Sequence, residues 1–190
     1  MQNPRTVLVI LIAILAVNQM DRTILSILLD DISHEFDLNN TQLGLLTGGV
    51  FIVVYALFGF PIAKLSARGS SRNIIGFTTA VWSLLTLSVA LAQNFWQLML
   101  ARFGVGIGES GAVVPAHSII SDLYPPERRT SAMASFVVGA NFGVLLAFLV
   151  GGIAGELLGW KGAFLIAGVP GLILSVILFV FVREPQRHLG

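Results

Sequence analysis

The sequence predicts an all-α polytopic membrane protein with six transmembrane helices. Its 190 residues are 55% hydrophobic and only 11% charged, and the mean hydropathy is +0.86. These values lie outside the range of ordinary soluble domains. The charges cluster between apolar stretches, each long enough to cross a hydrocarbon core of about 30 Å, which takes about 20 helical residues. Helices rather than a barrel are implied.

The first apolar run begins at Thr6. An acidic loop separates it from the second apolar run. The first run has no small-residue cleavage site, so we interpret it as a retained helix and not as a signal peptide. The first loop is acidic and ends in Asn39, Asn40 and Thr41, which are good caps for the next helix. The segment "KLSARGSSR" ends the second run, and "DLYPPERR" ends the fourth.

Six spans placed in this way occupy almost the whole chain. Glycines are concentrated in the last three, where small residues let helix backbones approach closely in lipid. No separate soluble domain is expected. The predicted spans are 6–28, 41–64, 73–92, 95–120, 130–155 and 162–182.

Lysine and arginine predict the orientation of these spans. If the spans alternate, only Lys161 falls on the side of the acidic first loop, which contains Asp30, Asp31, Glu35 and Asp37. By the positive-inside rule both ends of the chain are expected in the cytoplasm, with the protein in the inner (plasma) membrane. The cations on the predicted cytoplasmic side are Arg5, Lys64, Arg68, Arg72, Arg128, Arg129, Arg183 and Arg187.

Four ionisable residues fall within the spans: Asp21, Arg22, Arg102 and Glu109. An ionisable group in the hydrocarbon region costs several kcal/mol unless it faces a wet cavity or a partner, so each is a functional candidate. Asn18, Asp21 and Arg22 follow a helical i, i+3, i+4 spacing and share one stripe. That stripe is not expected to face lipid.

The depths of Asp21, Arg22 and Arg102 would let these three residues meet across a cavity. Asp21, Arg22 and Arg102 each lie about seven residues from the outer end of their span, roughly 10 Å below the surface at 1.5 Å per residue. Glu109 follows Arg102 by two helical turns, about 10.5 Å along the helix, so a direct contact between them would be stretched. Ion pairs that only fix helix packing are the alternative interpretation.

Our working hypothesis assigns a transport role to these charges. Arg22 or Arg102 holds an anionic head group, while Glu109 or Asp21 takes up and releases a proton as substrate competes for the arginine. Asn18, Tyr55 and Asn141 are further candidates for the lining of the same cavity. The coupling ion is expected to be a proton, and the lipid bilayer and an anionic substrate are the expected partners.

Metal, nucleic-acid and catalytic functions are not expected. The chain has no cysteine, and its histidines, His34, His117 and His188, lack the spacing of a metal cluster. "GESG" at 108–111 is similar to a short motif of rhomboid-type serine proteases, but Ser110 needs a histidine base from another helix. Span six contains no histidine, and we therefore predict no enzyme. A non-catalytic membrane scaffold is the remaining alternative to transport, but it gives no reason to bury Arg22 and Arg102.

Four motifs carry a resemblance to a known family: "NQMDR" at 18–22, "GLLTGGVFIVVYALFGFPIAKL" at 44–65, "FWQLMLARFGVGIGESG" at 95–111 and "DLYPPERR" at 122–129. Over essentially its whole length the chain resembles the N-terminal six-helix half of a major facilitator superfamily transporter, of the bacterial Spinster-like type. The resemblance implies 3+3 inverted repeats, alternating access and a polar centre formed by Asp21, Arg22, Arg102 and Glu109. It also implies a C-terminal six-helix half as partner, because the chain ends after span six.

The resemblance also implies a substrate class. Animal relatives of Spinster type are associated with lysophospholipids and sphingosine-1-phosphate, so a proton-coupled transporter of anionic amphiphiles is the first expectation. The alternative is a small organic anion such as a sugar acid, which neighbouring families handle.

One departure from the family pattern concerns the loop after span two. The family form is G-x-L-A-D-R-x-G-R-R, whereas "AKLSARGSSR" has Ala67 in place of the acid, beside Arg68 and Arg72. In the family that acid locks the cytoplasmic face by capping a helix of the other half. A partly buried carboxylate at a helix N-terminus contributes up to about 2 kcal/mol, so its loss shifts a two-state balance up to roughly thirtyfold toward the inward-facing state. Ala67 therefore predicts a weakened conformational gate.

Overall fold

The computed structural model describes residues 2–184, and every regular element within that range is helical. Arg187 and His188 lie outside the described residues. The helices are α1 (Pro4–Ile27), α2 (Leu29–Phe36), α3 (Asn40–Gly44), α4 (Val50–Arg68), α5 (Ser71–Val89), α6 (Phe95–Glu109), α7 (Val113–Leu123), α8 (Pro126–Leu149) and α9 (Gly155–Phe181).

Side-chain caps fix the starts of several helices. Asn3 accepts a hydrogen bond from the backbone N–H of Arg5 at 3.0 Å, and Pro4 occupies the first turn of α1, where its missing N–H does no harm. Asn39 and Gln42 form a reciprocal capping box at the start of α3. These polar residues mark the points at which α1 and α3 begin.

Two glycine-containing π-helical turns extend the helices. Leu45–Gly49 joins α3 to α4, and Val150–Ala154 joins α8 to α9. Three continuous helical stretches of the described chain are long and apolar enough to cross a membrane: Pro4–Ile27, Asn40–Arg68 and Pro126–Phe181.

The third stretch contains two antiparallel helices. Gly159 has φ 71° and ψ 172°, a left-handed backbone conformation that glycine adopts without strain, and the helix breaks there. Before the break, Gly143 packs so closely on α1 that an added Cβ would lie 2.2 Å from the Ala16 carbonyl oxygen. After it, α9 runs back along α5 until Phe179 reaches Gly76. The reversal falls between the fifth and sixth predicted spans.

The fourth predicted span, 95–120, is not one continuous helix. It divides into α6 and α7, with a turn at residues 110–112 between them. Pro115 in the first turn of α7 has no N–H to donate to Gly111, which weakens a continuous helix at this point. The interruption comes directly after Glu109, one of the predicted site residues.

Two apolar clusters fill the bundle, one toward each end. The first includes Ile24, Leu98 and Phe164, and the second includes Leu11, Ile75 and Leu178, all of them at most 1% exposed. The helix α1 packs against α8 and α9, and α5 packs against α6 and α9. A helical bundle with its charges between the two clusters results.

The two ends of the described chain lie side by side. Gln2 Nε2 donates to the carbonyl oxygen of Arg183 at 3.0 Å, and the N–H of Arg183 donates to Gln2 Oε1 at 2.8 Å. We call this side of the bundle the terminal end, and the opposite side, which carries α2, the α2 end.

Candidate functional site

An ion pair between α1 and α6 forms the centre of the candidate site. Arg22 Nε donates to Glu109 Oε2 at 2.5 Å. The Glu109 side chain is completely buried, whereas that of Arg22 remains 27% exposed. The two groups therefore differ in access, since Glu109 is covered and Arg22 is reachable from outside.

Asp21 points to a different neighbour from Arg22. Successive residues of a helix lie about 100° apart around its axis. Asp21 is fully buried, and its Oδ2 accepts a hydrogen bond of 2.9 Å from Thr86 Oγ1 on α5. Its Oδ1 has no hydrogen-bond partner within residues 2–184. Asp21 thus ties α1 to α5 behind the ion pair.

Arg102 is buried against both Asp21 and an aromatic ring. Its Nη1 donates to the backbone oxygen of Asp21 at 3.5 Å, and its guanidinium carbon lies 5.5 Å from the centroid of Phe51. No carboxylate of the described chain lies within ion-pair distance of Arg102. Arg102 interacts with Asp21 and Glu109 at longer range through its charge.

Two aromatic rings of α4 complete the site. Phe51 and Tyr55 stack with their centroids 5.9 Å apart, and both rings are half-buried. The guanidinium carbon of Arg22 lies 4.5 Å from the Tyr55 centroid and 5.0 Å from that of Phe51. A guanidinium over such ring faces is attracted by their quadrupoles. Arg22 is held between a carboxylate on one side and aromatic rings on the other.

Both arginines have unused hydrogen-bonding capacity. Arg22 Nη2 and Arg102 Nε are buried donors that find no acceptor in the described part of the chain. An unsatisfied buried donor costs about 1–3 kcal/mol, more for a charged group. Guanidinium donors suit the oxygens of carboxylates and phosphates. The arrangement is chemically suited to bind an anion near Phe51 and Tyr55.

The structure brings five of the sequence-predicted site residues together: Asp21, Arg22, Tyr55, Arg102 and Glu109. Asn18 is buried one helical turn from Arg22, and its Nδ2 has no hydrogen-bond partner among the described residues. Asn141 lies on α8 with an exposed side chain, outside these contacts.

Sequence reasoning missed Thr86 and Phe51. A signal for Thr86 was present, because Thr79, Ser83 and Thr86 repeat at i, i+4 and i+7 and place hydroxyls on one face of α5. All three are buried. Phe51 carries no comparable signal, since one phenylalanine in an apolar span is ordinary.

The predicted gate loop is bound to the end of α9 by Glu184. The Glu184 carboxylate accepts hydrogen bonds from the backbone N–H groups of Ser71 and Arg72, each at 2.8 Å, and from Ser70 Oγ at 2.6 Å. It therefore caps the N-terminus of α5. Arg72 donates to the carbonyl oxygen of Phe179 and stacks over its ring. Ala67 and Arg68 are exposed.

At the α2 end, Glu35 on α2 contacts two residues of α9, and we call this set of contacts the clasp. Glu35 Oε1 accepts from Lys161 Nζ at 2.6 Å, and Glu35 Oε2 accepts from Trp160 Nε1 at 2.5 Å. The hydrogen bond from Lys161, followed by that from Trp160, lowers the pKa of Glu35 below its ordinary value. The clasp connects α2 to the start of α9, just after the break at Gly159.

The helical bundle, its apolar outer surface and its buried charged centre define an integral membrane protein with a transporter architecture. Residues 11–190 match the profile of the Major Facilitator Superfamily. The chain belongs to this family, whose members here are transporters and not enzymes.

Comparison with individual proteins shows which kinds of transporter in this family are similar to the chain. An MFS-type efflux pump of Mycolicibacterium smegmatis is 32% identical over 88% of this chain and 39% of its own length. A hexuronate transporter of Bacillus subtilis is 32% identical over 90% of this chain and 40% of its own length. The inward-facing, unoccupied crystal structure of a bacterial homolog of the human lysosomal transporter Spinster superposes with a TM-score of 0.92. The two sequences are 36% identical, and the matched region covers 97% of this chain and 44% of the crystallised chain.

These matches confirm the Spinster-like assignment and the fold class that the sequence predicts. The chain spans about two fifths of the length of the relatives it matches, which corresponds to one half of such a transporter.

Proposed function

We propose that this chain forms the N-terminal half of a proton-coupled secondary transporter that moves an anionic amphiphile by alternating access. One observation carries the proposal: Arg22 is at once the partner of the buried Glu109 and the exposed group of the charged centre. An anion that reaches the site meets Arg22 first. Binding at Arg22 then competes with Glu109 for the same guanidinium.

The aromatic wall supports an amphiphilic substrate. A negatively charged head group on Arg22 and Arg102 lies next to Phe51 and Tyr55, whose half-buried rings offer apolar surface to a hydrocarbon chain. A probable sphingolipid transporter of Arabidopsis thaliana, spinster homolog 1, is 32% identical over 84% of this chain and supports the same class.

Competition for Arg22 supplies a route to proton coupling. A buried carboxylate that loses its ion-pair partner is an uncompensated charge, which costs several kcal/mol in a low-dielectric site. Taking up a proton removes that cost. Substrate binding at Arg22 therefore favours protonation of Glu109, and substrate release favours deprotonation.

A small organic anion such as a sugar acid is the second candidate. The relative from Bacillus subtilis, a hexuronate transporter with a similar identity, supports it. The same two guanidinium groups would bind the carboxylate of such a substrate, and Phe51 and Tyr55 would pack on its ring.

Thermal stabilisation of the purified protein distinguishes the two. We expect an anionic lysophospholipid to raise the melting temperature more than a zwitterionic lysophospholipid of equal chain length, and a hexuronate to have no effect. Arg102→Ala should abolish the difference, whereas Arg128→Ala, at an exposed position in the first turn of α8, should retain it. Stabilisation by hexuronate alone would favour the second candidate. Equal stabilisation by both lysophospholipids would contradict an anion site.

We further propose that the terminal end of the bundle faces the cytoplasm. Arg5, Arg68, Arg72 and Arg183 all lie at this end, while Glu35 lies at the α2 end. The proposal predicts that a cysteine introduced at Arg68 in this cysteine-free chain is labelled only from the cytoplasmic side, and a cysteine at Asp31 only from outside.

A further inference from the structure

Arg102 is a buried cation without a carboxylate partner. It is 3% exposed, and no carboxylate of residues 2–184 lies within ion-pair distance of its guanidinium. Its hydrogen bond to the backbone oxygen of Asp21 spans 3.5 Å, which is longer than the usual range of about 2.7–3.2 Å. Because a buried charge needs compensation from its surroundings, the Phe51 ring becomes important. The Arg102 guanidinium carbon lies over this ring, 5.5 Å from its centroid.

The Phe51 ring lies against the turn of α6 that carries Arg102. Gly106 follows Arg102 by four residues and therefore lies on the same face of α6. A Cβ added at Gly106 would lie 3.4 Å from Phe51 Cδ2 and 3.6 Å from Phe51 Cε2, which is van der Waals contact. The guanidinium carbon of Arg22, on α1, lies over the same ring at 5.0 Å. One ring of α4 thus contacts a cation of α1 and a cation of α6.

An aromatic ring and a carboxylate contact different parts of a guanidinium. The ring attracts the flat face of the group, whereas a carboxylate accepts hydrogen bonds from the N–H donors at its edge. The Nε donor of Arg22 is used by Glu109, but the Nε donor of Arg102 is buried and has no acceptor among the described residues. The Phe51 ring therefore compensates the charge of Arg102 and leaves free the donors that an anion needs.

We propose that Phe51 is a positioning residue of the anion site, whose ring holds Arg102 in place without occupying its N–H donors. The proposal rests on the anion-binding function proposed above. Asp21 and Glu109 are close enough to attract Arg102 through their charges. With a less attractive ring, the guanidinium would turn toward one of these carboxylates. Its donors would then be occupied before a substrate arrives.

The two arginines consequently have different roles in binding. Arg22 keeps Glu109 and the Tyr55 ring as partners even without Phe51. Arg102 lies over the Phe51 ring and over no other aromatic ring of the described chain. An anion therefore binds Arg102 without breaking an ion pair, and it displaces Glu109 only at Arg22. One bound anion releases one carboxylate.

Fluorinated phenylalanines at position 51 of the complete transporter test the proposal. Each fluorine reduces the negative charge on the face of the ring and changes its shape little, so a role in packing alone is preserved. Analogues with one, two or three ring fluorines replace Phe51. Phe58 is the matched control, because it lies two turns further along α4 and packs edge-to-face on Phe103. No guanidinium of the described chain lies over the Phe58 ring.

Two quantities are measured in nanodiscs: the affinity for lysophosphatidylglycerol relative to lysophosphatidylcholine of equal chain length, and the melting temperature without ligand. We expect the preference for the anionic lipid to fall with each fluorine at position 51, by about tenfold over the series. The melting temperature should fall in the same order. Fluorination at position 58 should change neither quantity. Arg102→Gln should flatten the dependence of the melting temperature on fluorination at position 51.

The outcomes separate this inference from the proposed function. A preference that does not depend on fluorination at position 51 would overturn the role of Phe51 and leave the anion site intact. A dependence of the melting temperature that is unchanged in Arg102→Gln would overturn it as well. If the unmodified transporter shows no preference for the anionic lipid, the anion site itself is contradicted.

Discussion

Arg22 and Glu109 join the first and fourth predicted spans through an ion pair of 2.5 Å in which one partner is fully buried and the other 27% exposed. The two partners are therefore not equally accessible to an anion from outside. Any anion that enters from the exposed side reaches Arg22 before it can affect Glu109. A pair buried on both sides would give an anion no access to the guanidinium, whereas the partly exposed Arg22 does.

Thr86→Val should destabilise the protein, because it removes the donor that satisfies the buried Asp21 carboxylate. A buried hydrogen-bonding group left without its partner costs about 1–3 kcal/mol, and the two side chains have nearly the same shape. Thr79→Val is the control, since Thr79 is equally buried on α5 and its hydroxyl has no hydrogen-bond partner among the described residues. Thermal denaturation should show a lower melting temperature for Thr86→Val only. An equal fall in both variants would contradict a specific role for Thr86.

Glu184→Ala should loosen the start of α5, because two backbone N–H groups and a hydroxyl lose their acceptor. Loss of a helix N-cap costs about 1 kcal/mol. Glu127→Ala is the matched control, as Glu127 lies in the first turn of α8 but is exposed. Hydrogen exchange at Ser71 and Arg72 should accelerate in Glu184→Ala and not in the control. Unchanged exchange would mean that the cap does not hold this helix.

Ala67→Asp should raise the outward-facing population, because it restores the acid that the family pattern has at this position. A partly buried carboxylate at a helix N-terminus contributes up to about 2 kcal/mol, which is enough to shift a balanced equilibrium up to roughly thirtyfold. Distances between spin labels on the two halves of the transporter measure that population. Ala67→Asn is the uncharged control. If both variants leave the distances unchanged, the gate depends on other contacts.

The clasp of Glu35 with Lys161 and Trp160 should make stability depend on pH at the acid side. Since the pKa of Glu35 is lower in the folded protein than its ordinary value of 4.5, the contribution is fully present above that value. It is lost as the pH falls through the lowered pKa. Glu35→Gln should reduce the acid-side fall in melting temperature, and Glu156→Gln, which alters an exposed residue of α9, should not. Identical pH profiles for the two variants would contradict the clasp.

The sequence predicted much of this architecture because a bilayer restricts what a chain can do. Apolar runs of a given length must become helices, and buried charges must find partners, so the positions of Asp21, Arg22, Arg102 and Glu109 could be derived from span ends and helical rise. The resemblance to Spinster-like proteins gave the same four residues.

The remaining features could not be derived, because they depend on side-chain orientation and on contacts between residues that are far apart in the sequence. Which carboxylate pairs with which arginine follows from the rotation of α1, which packing decides. The break at residues 110–112 arises within an apolar run that reads as one span. Glu184 and Ser71 are 113 residues apart in the sequence, and no local sequence pattern predicts the hydrogen bond between them.

Substrate-dependent proton movement in proteoliposomes tests the central claim most directly. The complete transporter, of which this chain is proposed to form the N-terminal half, should accumulate an anionic lysophospholipid in response to an imposed pH gradient, with proton flux that accompanies the substrate. Glu109→Gln should lose the gradient-driven accumulation and its proton flux while it retains exchange of substrate across the membrane, because Arg22 and Arg102 remain. Accumulation and pH dependence in Glu109→Gln that equal those of the wild type would contradict the account.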